Sequence, residues 1–283
     1  MTEISVNSRM LGLKDVSVHV EDSGGDGRPI VLIHGWPLSG ASWENQISDL
    51  QGAGYRAITY DRRGFGMSDK PKTGYDYDTL ADDLSGLIDE LGLTDITLVG
   101  FSMGGGEIAR YISKYGEDKL HSVVFASSVT PMMIQSPSNP DGPLDKERAT
   151  KLSTDLEADP DTFYDQFTKE FFSANGDGTT MLVSNEVRQA AVVICQQADK
   201  TAALEAMQSF AMTDFREDLP KITVPTLVIH GDADGVVPYI GSGKRTHAAI
   251  PHSELHVIVG GPHGINASHT DEFNKTLLTF LNM

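Results

Sequence analysis

Ser102 stands in Gly100-Phe-Ser-Met-Gly104, directly after the apolar residues Ile96, Leu98 and Val99 and directly before Ile108, Ala109, Tyr111 and Ile112 at helical spacing. A strand that turns sharply into a helix leaves the residue at its tip accessible. The turn presses the flanking residues together, so the positions two before and two after must be small. Gly100 and Gly104 meet that demand. A serine hydroxyl is a poor nucleophile at neutral pH; it needs an imidazole to take its proton and a carboxylate to fix the imidazole tautomer. Two later stretches supply them in the order serine, acid, histidine. Thr226-Leu-Val-Ile-His-Gly-Asp-Ala-Asp234 puts two carboxylates just past an apolar run, and Leu255-His-Val-Ile-Val-Gly-Gly-Pro-His263 puts an imidazole just past the next. Asp234 is the preferred acid, because Asp232 follows its strand closely enough to tie down its own turn. The alternative loop, Ala126-Ser-Ser-Val-Thr130, carries no carboxylate.

The other histidines read as structural. His34 and His230 end apolar runs before a glycine, His121 and His247 fall in surface segments, and His252 and His256 flank a strand. His269 sits where a last helix begins, close enough in sequence to rival His263 as the base. His252, Glu254 and His256 share a strand face, but no ligand geometry is specified, so no metal is expected. Gly104-Gly-Gly106 lacks both the lysine of a P-loop and the Gly-x-Gly-x-x-Gly of a dinucleotide site. An acyl-transfer site also needs two amide donors for the oxyanion. One is the N–H after the nucleophile, that of Met103; the other should come from His34-Gly-Trp-Pro-Leu38, which makes the Trp36 N–H the candidate.

These groups need a parallel sheet to carry them. Strands are expected at 16–20, 30–34, 56–60, 96–101, 122–126, 226–230 and 254–259, with helices at 43–51 and 80–91 between them. From Pro131 to about Phe215 the alternation gives way to helical stretches after a Pro-, Ser- and Asn-rich entry. The expected organisation is a core from 1–130 and 216–283 with a helical cap, 131–215, inserted after the sixth strand.

Composition narrows the function class. The 283 residues suit one large domain or a core with a lid. With 40 Asp and Glu against 22 Lys and Arg, the net charge of -18 argues against nucleic acid or an anionic membrane as partner. No apolar run approaches the ~20 residues of a membrane span, and the first residues lack a basic-then-apolar leader, so the chain reads as cytoplasmic. The single Cys195, in Ala-Ala-Val-Val-Ile-Cys, reads as a small buried hydrophobe.

With the elbow, His34-Gly-Trp-Pro37, Asp61-Arg-Arg-Gly-Phe-Gly-Met-Ser68, Gly231-Asp-Ala-Asp234 and Gly261-Pro-His-Gly264, the chain resembles the α/β-hydrolase superfamily over nearly its whole length. Gly100-Phe-Ser-Met-Gly-Gly-Gly-Glu-Ile-Ala-Arg-Tyr111 together with His34-Gly-Trp-Pro37 is similar to the cofactor-free bacterial haloperoxidases, or perhydrolases, and their aryl-esterase relatives. The resemblance implies an eight-stranded, mostly parallel sheet with a helical cap. It also implies nucleophile, acid and base at Ser102, Asp234 and His263, and an oxyanion hole at Trp36 and Met103. Relatives with strong perhydrolase activity tend to carry proline at the position of Pro37, where a fixed φ shifts the preceding carbonyl toward an attacking peroxide. The substrate is then a small ester, a carboxylic acid or peroxide, with no cofactor and with a homo-oligomer as the family's expectation. Pro37, Met132, Met133, Ile134, Phe171 and Ile194 are candidates for the substrate pocket. A lactonase or amidase on the same residues, or a ligand sensor with little turnover, are the rival readings.

Overall fold

In the computed structural model, which describes residues 6–283, the apolar runs become adjacent strands of one sheet. The leader reading of the first residues falls largely outside that range. Among the described residues the strands are β1 (Asn7–Gly12), β2 (Ser17–Asp22), β3 (Pro29–Ile33), β4 (Arg56–Tyr60), β5 (Ile96–Phe101), β6 (Leu120–Ala126), β7 (Thr226–Gly231) and β8 (Glu254–Ile258), in the order β1-β2-β4-β3-β5-β6-β7-β8. β1 and β2 run antiparallel to their neighbours and the rest are parallel. β5 and β7 are buried at every position, as a strand covered on both faces must be.

β1 is the strand that the sequence reading lacks. Five of its six residues are exposed, so an edge ladder formed by pairing with β2 leaves no apolar run to read.

Helix α1 (Glu44–Gly52) follows the expected span, whereas α2 (Tyr77–Glu90) begins three residues earlier than expected. The Asp76 carboxylate accepts from the Thr79 N–H at 3.0 Å, a cap that fixes that earlier start. Helix α3 (Met103–Tyr115) is pressed onto the sheet by its glycines. A Cβ at Gly104 would lie 2.6 Å from the Ile33 carbonyl oxygen, one at Gly105 2.1 Å from Ser128 Oγ, and one at Gly106 2.6 Å from Phe215 and Tyr77. Close packing of helix on strand is what the glycine run is for.

Between β6 and β7 come α4 (Lys146–Ala158), α5 (Pro160–Phe172), α6 (Asn185–Cys195) and α7 (Lys200–Met212). Each starts at a side-chain cap, respectively Asp145, Asp159, Ser184 and Asp199. Cys195 is fully buried, and burial pushes its thiol well above the usual range. Helices α8 (Gly243–Ala249), α9 (Ile265–Ser268) and α10 (Thr270–Leu281) complete the chain. No helix among the described residues is long and apolar enough to cross a membrane.

Candidate active site

The direction of the sheet reverses at β3: β4 lies on one side and β5 on the other. Loops leaving the carboxyl ends of adjacent strands at such a point enclose a crevice. The loop after β3 and the turn after β5 meet there. Ser102 has φ 54° and ψ -114°, a left-handed conformation that a non-glycine residue keeps only when its surroundings hold it. They do so from both sides. Ser102 N–H donates to the Ala126 carbonyl at 2.8 Å, and its own carbonyl accepts from Gly105 and Val129. A Cβ on Gly100 would lie 2.5 Å from the Gly104 carbonyl oxygen, so any larger residue would push the turn open.

His263, in the loop after β8, brings Nε2 to 3.0 Å from Ser102 Oγ and Nδ1 to 2.7 Å from Asp234 Oδ2, in the loop after β7. All three residues are buried. A carboxylate only accepts, so Nδ1 carries the ring proton and Nε2 is free to accept from the hydroxyl. Asp234 Oδ1 takes the N–H groups of Val236 and Val237 at 2.9 and 2.7 Å, and His230 Nε2 lies 3.3 Å from Oδ2. Burial on its own would raise the Asp234 carboxyl. Attraction to His263 and hydrogen bonds from His230 and His263 overcome it and hold the group at about 2.

Asp232 does tie a turn, although to the neighbouring strand's loop: its Oδ1 accepts from Gly260 N–H at 2.6 Å. His269 bonds Ser268 Oγ at 2.9 Å. His252 meets the Val224 carbonyl while His256 meets Glu272, so the two rings on that strand have separate partners.

Neither the Trp36 nor the Met103 N–H donates to a protein acceptor among the described residues. Gly35, next to Trp36 in the chain, comes so close to the turn that a Cβ there would stand 3.1 Å from Ser102 Cβ. The Trp36 ring leaves the loop and enters the cap. Its Nε1–H donates to the Ala203 carbonyl at 2.9 Å, and Phe163, Phe167 and Phe210 meet it edge to face at 5.3–6.0 Å.

Over Ser102 lies a cavity of about 50 Å³, walled by Trp36 and His263, by Val129 after β6, and by Val236 and Val237 beside Asp234. The helices add Leu152 from α4, Phe167 from α5 and Met207 and Phe210 from α7, with Arg148 and Glu170 as its charged members. Of the expected pocket residues, Met133 is in this wall. Met132 and Ile134 instead line a neighbouring groove of about 760 Å³ between α4 and α7. Phe171 packs edge-on against the His263 ring at 5.0 Å and backs the histidine. Ile194 lies on α6, partly buried against the core and on no wall of this cavity. Pro37, also expected in the pocket, is buried in the turn after β3 and is not among the residues that wall this cavity. The wall residues of α4, α5 and α7 escape sequence reading because periodicity gives a helix an apolar face and does not say what the face meets.

The family model described as the alpha/beta hydrolase fold matches residues 28–270. The chain is 43% identical to a non-heme chloroperoxidase, CPO-A1, of Kitasatospora aureofaciens, with 91% of this chain and 94% of that one aligned. It is 35% identical to a bifunctional esterase/perhydrolase, DCH, of Acinetobacter calcoaceticus, over 94% and 96%. Its coordinates superpose on a bromoperoxidase from Bacillus anthracis with a TM-score of 0.94 at 48% identity, covering 98% and 100% of the two chains. Sheet order, elbow and these likenesses agree: the chain belongs to the α/β-hydrolase family.

Proposed function

We propose that this chain is a serine carboxylester hydrolase in which Ser102 forms an acyl-enzyme that either water or hydrogen peroxide releases. The observation that carries the reading is the line of hydrogen bonds from Asp234 through His263 to Ser102, beside two amides without protein acceptors. In the first step Ser102 Oγ bonds to the ester carbonyl carbon as its proton passes to His263 Nε2. The carbonyl oxygen becomes an oxyanion held by the Trp36 and Met103 N–H groups. Collapse expels the alcohol, or water where a carboxylic acid is the acyl donor, and the leaving group takes the proton back from His263 while Asp234 stabilises the imidazolium in between. Water then attacks the acyl-enzyme with His263 as base and leaves a carboxylic acid. Hydrogen peroxide attacking in its place leaves a peracid. Outside the enzyme, the peracid oxidises halide by two electrons to hypohalous acid and is itself reduced to the carboxylic acid. The oxidising equivalents come from peroxide, so this route calls on no redox cofactor.

The names of the relatives support both branches, chloroperoxidase and esterase/perhydrolase. The apolar cavity supports a small acyl group as the part bound beside Ser102. Residues 131–215 act in this reading as a cap that closes over the core formed by 1–130 and 216–283. Pro37 sets the Trp36 carbonyl toward the peroxide.

The test pairs p-nitrophenyl acetate cleavage with acetate-plus-peroxide bromination on one preparation. Ser102→Ala should lower both by at least about 10⁴-fold. Ester turnover kept by that variant sinks the proposal, whereas loss of bromination alone on replacing Pro37 supports the peroxide role.

A further inference from the structure

His34 is fully buried, bonds neither Ser102 nor Asp234, and has no part in the proton transfers described above. Its ring nonetheless touches the peptide unit that carries the Trp36 amide. The Gly35–Trp36 bond is trans, so the Gly35 C=O and the Trp36 N–H lie in one plane and point opposite ways. Whatever grips the carbonyl aims the amide. Two donors grip it: His34 Nδ1–H at 2.8 Å and Leu38 N–H at 3.0 Å.

The ring can donate from Nδ1 because Nε2 is taken. The backbone N–H of Arg62 donates to Nε2 at 2.9 Å, which forces the neutral ring to carry its proton on Nδ1; Arg62 Nη1, 3.3 Å from Nδ1, is then a neighbour of that N–H and not a hydrogen-bond donor to it. Burial and the nearby Arg62 charge hold the imidazole well below its usual range, so it stays neutral. Arg62 is fixed in turn. Its Nη2 donates to the His34 carbonyl at 2.8 Å, and its Nε and Nη2 pair with Glu107. Both partners of that ion pair are about 1% exposed, and Tyr60 Oη donates to Glu107 Oε2 at 2.6 Å. Glu107 belongs to α3, one turn beyond Met103.

A buried ion pair is costly to desolvate and weak evidence for stability, so its retention under a reactive centre asks for another reason. We infer that Glu107, Arg62 and His34 form a positioning relay that locks the Trp36 amide in register with the Met103 amide, one end being anchored on each donor's own element. The inference rests on the reading of those two amides as the oxyanion donors. It adds that His34 serves the reaction by its tautomer, as a donor, and that none of the three touches substrate.

Two isosteric replacements separate its halves. The amide nitrogen of His34→Asn stands where Nδ1 stood and keeps the bond to the Gly35 carbonyl; the amide oxygen of His34→Gln stands where Nε2 stood and keeps only the bond from Arg62. Loss of a whole oxyanion donor typically costs about 10²–10³-fold in kcat, so a donor left misaimed should cost about 10- to 100-fold. We expect that loss in His34→Gln toward p-nitrophenyl acetate, with KM within about threefold of wild type. The Ki for a trifluoromethyl ketone, which forms a tetrahedral adduct, should rise in step. His34→Asn should keep kcat within about fivefold, even where it melts at the lower temperature. Equal kcat losses in both variants, or wild-type kcat in His34→Gln, overturn the relay; with Ser102-dependent turnover intact, they leave the hydrolase reading standing. The wild-type ¹⁵N spectrum decides independently of either variant's folding. A proton on Nδ1 of His34 is expected, and one on Nε2 overturns the inference.

Discussion

Replacing Gly104 by alanine tests how closely the nucleophile turn is fitted to the sheet. The new Cβ would stand 2.6 Å from the Ile33 carbonyl oxygen, 3.0 Å from Ile33 Cγ2 and 3.2 Å from the His34 carbonyl oxygen, where ordinary contact begins at 3.4 Å. The shortfall is 3.4 - 2.6, or about 0.8 Å. Strand β3 cannot give way, since β4 and β5 bond it on both sides. Helix α3 must therefore lift, and Met103 and Ser102 lift with its first turn. A displacement of that size along the 3.0 Å bond from Ser102 Oγ to His263 Nε2 takes it beyond hydrogen-bond reach. Misplacement by about 1 Å costs about 10²-fold in rate, near 2.7 kcal/mol of barrier. Overpacking costs about 1–3 kcal/mol of stability, offset by about 1 kcal/mol from the better helix propensity of alanine. We therefore expect kcat/KM for p-nitrophenyl acetate to fall about 10²-fold, and labelling of Ser102 by a fluorophosphonate to slow equally, with a modest drop in Tm. A folded Gly104→Ala protein with kcat/KM within threefold of wild type refutes the argument.

Gly52→Ala is the matching control, because nothing lies within 4 Å of its Cβ and its φ is not left-handed. It should raise stability by about 0.5–1 kcal/mol in thermal unfolding and leave turnover alone. Asp234→Asn should lower kcat by about 10⁴-fold, since an amide no longer dictates which ring nitrogen of His263 keeps the proton. The folded carboxyl, at about 2, lies below its unfolded value near 3.9, so its contribution is present above pH ~4 and is lost as pH falls through about 2. It is worth about 2 kcal/mol at neutral pH, and urea titrations between pH 2 and 5 should show a shallower acid-side loss in Asp234→Asn than in wild type. Leu152 borders the cavity over Ser102, the groove of about 760 Å³ between α4 and α7, and another of about 490 Å³ between α4 and α5. Leu152→Ala should join them and shift the ester preference from acetate toward octanoate by at least tenfold in relative kcat/KM; an unchanged chain-length profile counts against a shared wall.

Residues that act at the end of a strand are legible when the strand is. The elbow, Asp234 and His263 each follow an apolar run that announces itself by composition, and their spacing along the chain does not matter once a parallel sheet aligns the carboxyl ends. The relay behind Trp36 has no such signal. His34, Arg62 and Glu107 lie 28 and 45 residues apart, and each looks ordinary where it stands: a histidine ending a strand, an arginine in a loop, a glutamate on a helix. Only burial makes them unusual, and burial belongs to the fold. The cap shows the same limit in another form. Met132, Met133 and Ile134 are equally apolar, yet one residue of register decides which of two spaces each one faces.

The loop after β6 shows why the site hangs together although it contributes no acid, base or nucleophile. Its residues Ala126 to Val129 bond Ser102 on one side, by the Ala126 carbonyl and the Val129 N–H, and on the other Ser127 Oγ donates to the His263 carbonyl at 3.2 Å. Ser127 itself has φ 44°, held by its N–H bond to the Ile229 carbonyl of β7. A strand between β5 and β7 could not carry a third charged group there without desolvating it beside Asp234, which already has four donors around it. Small hydroxyl side chains cost little to bury once hydrogen-bonded, and they leave the space that the imidazole fills. Ser102 and His263, 3.0 Å apart through Oγ and Nε2, are thus tied to the same short loop.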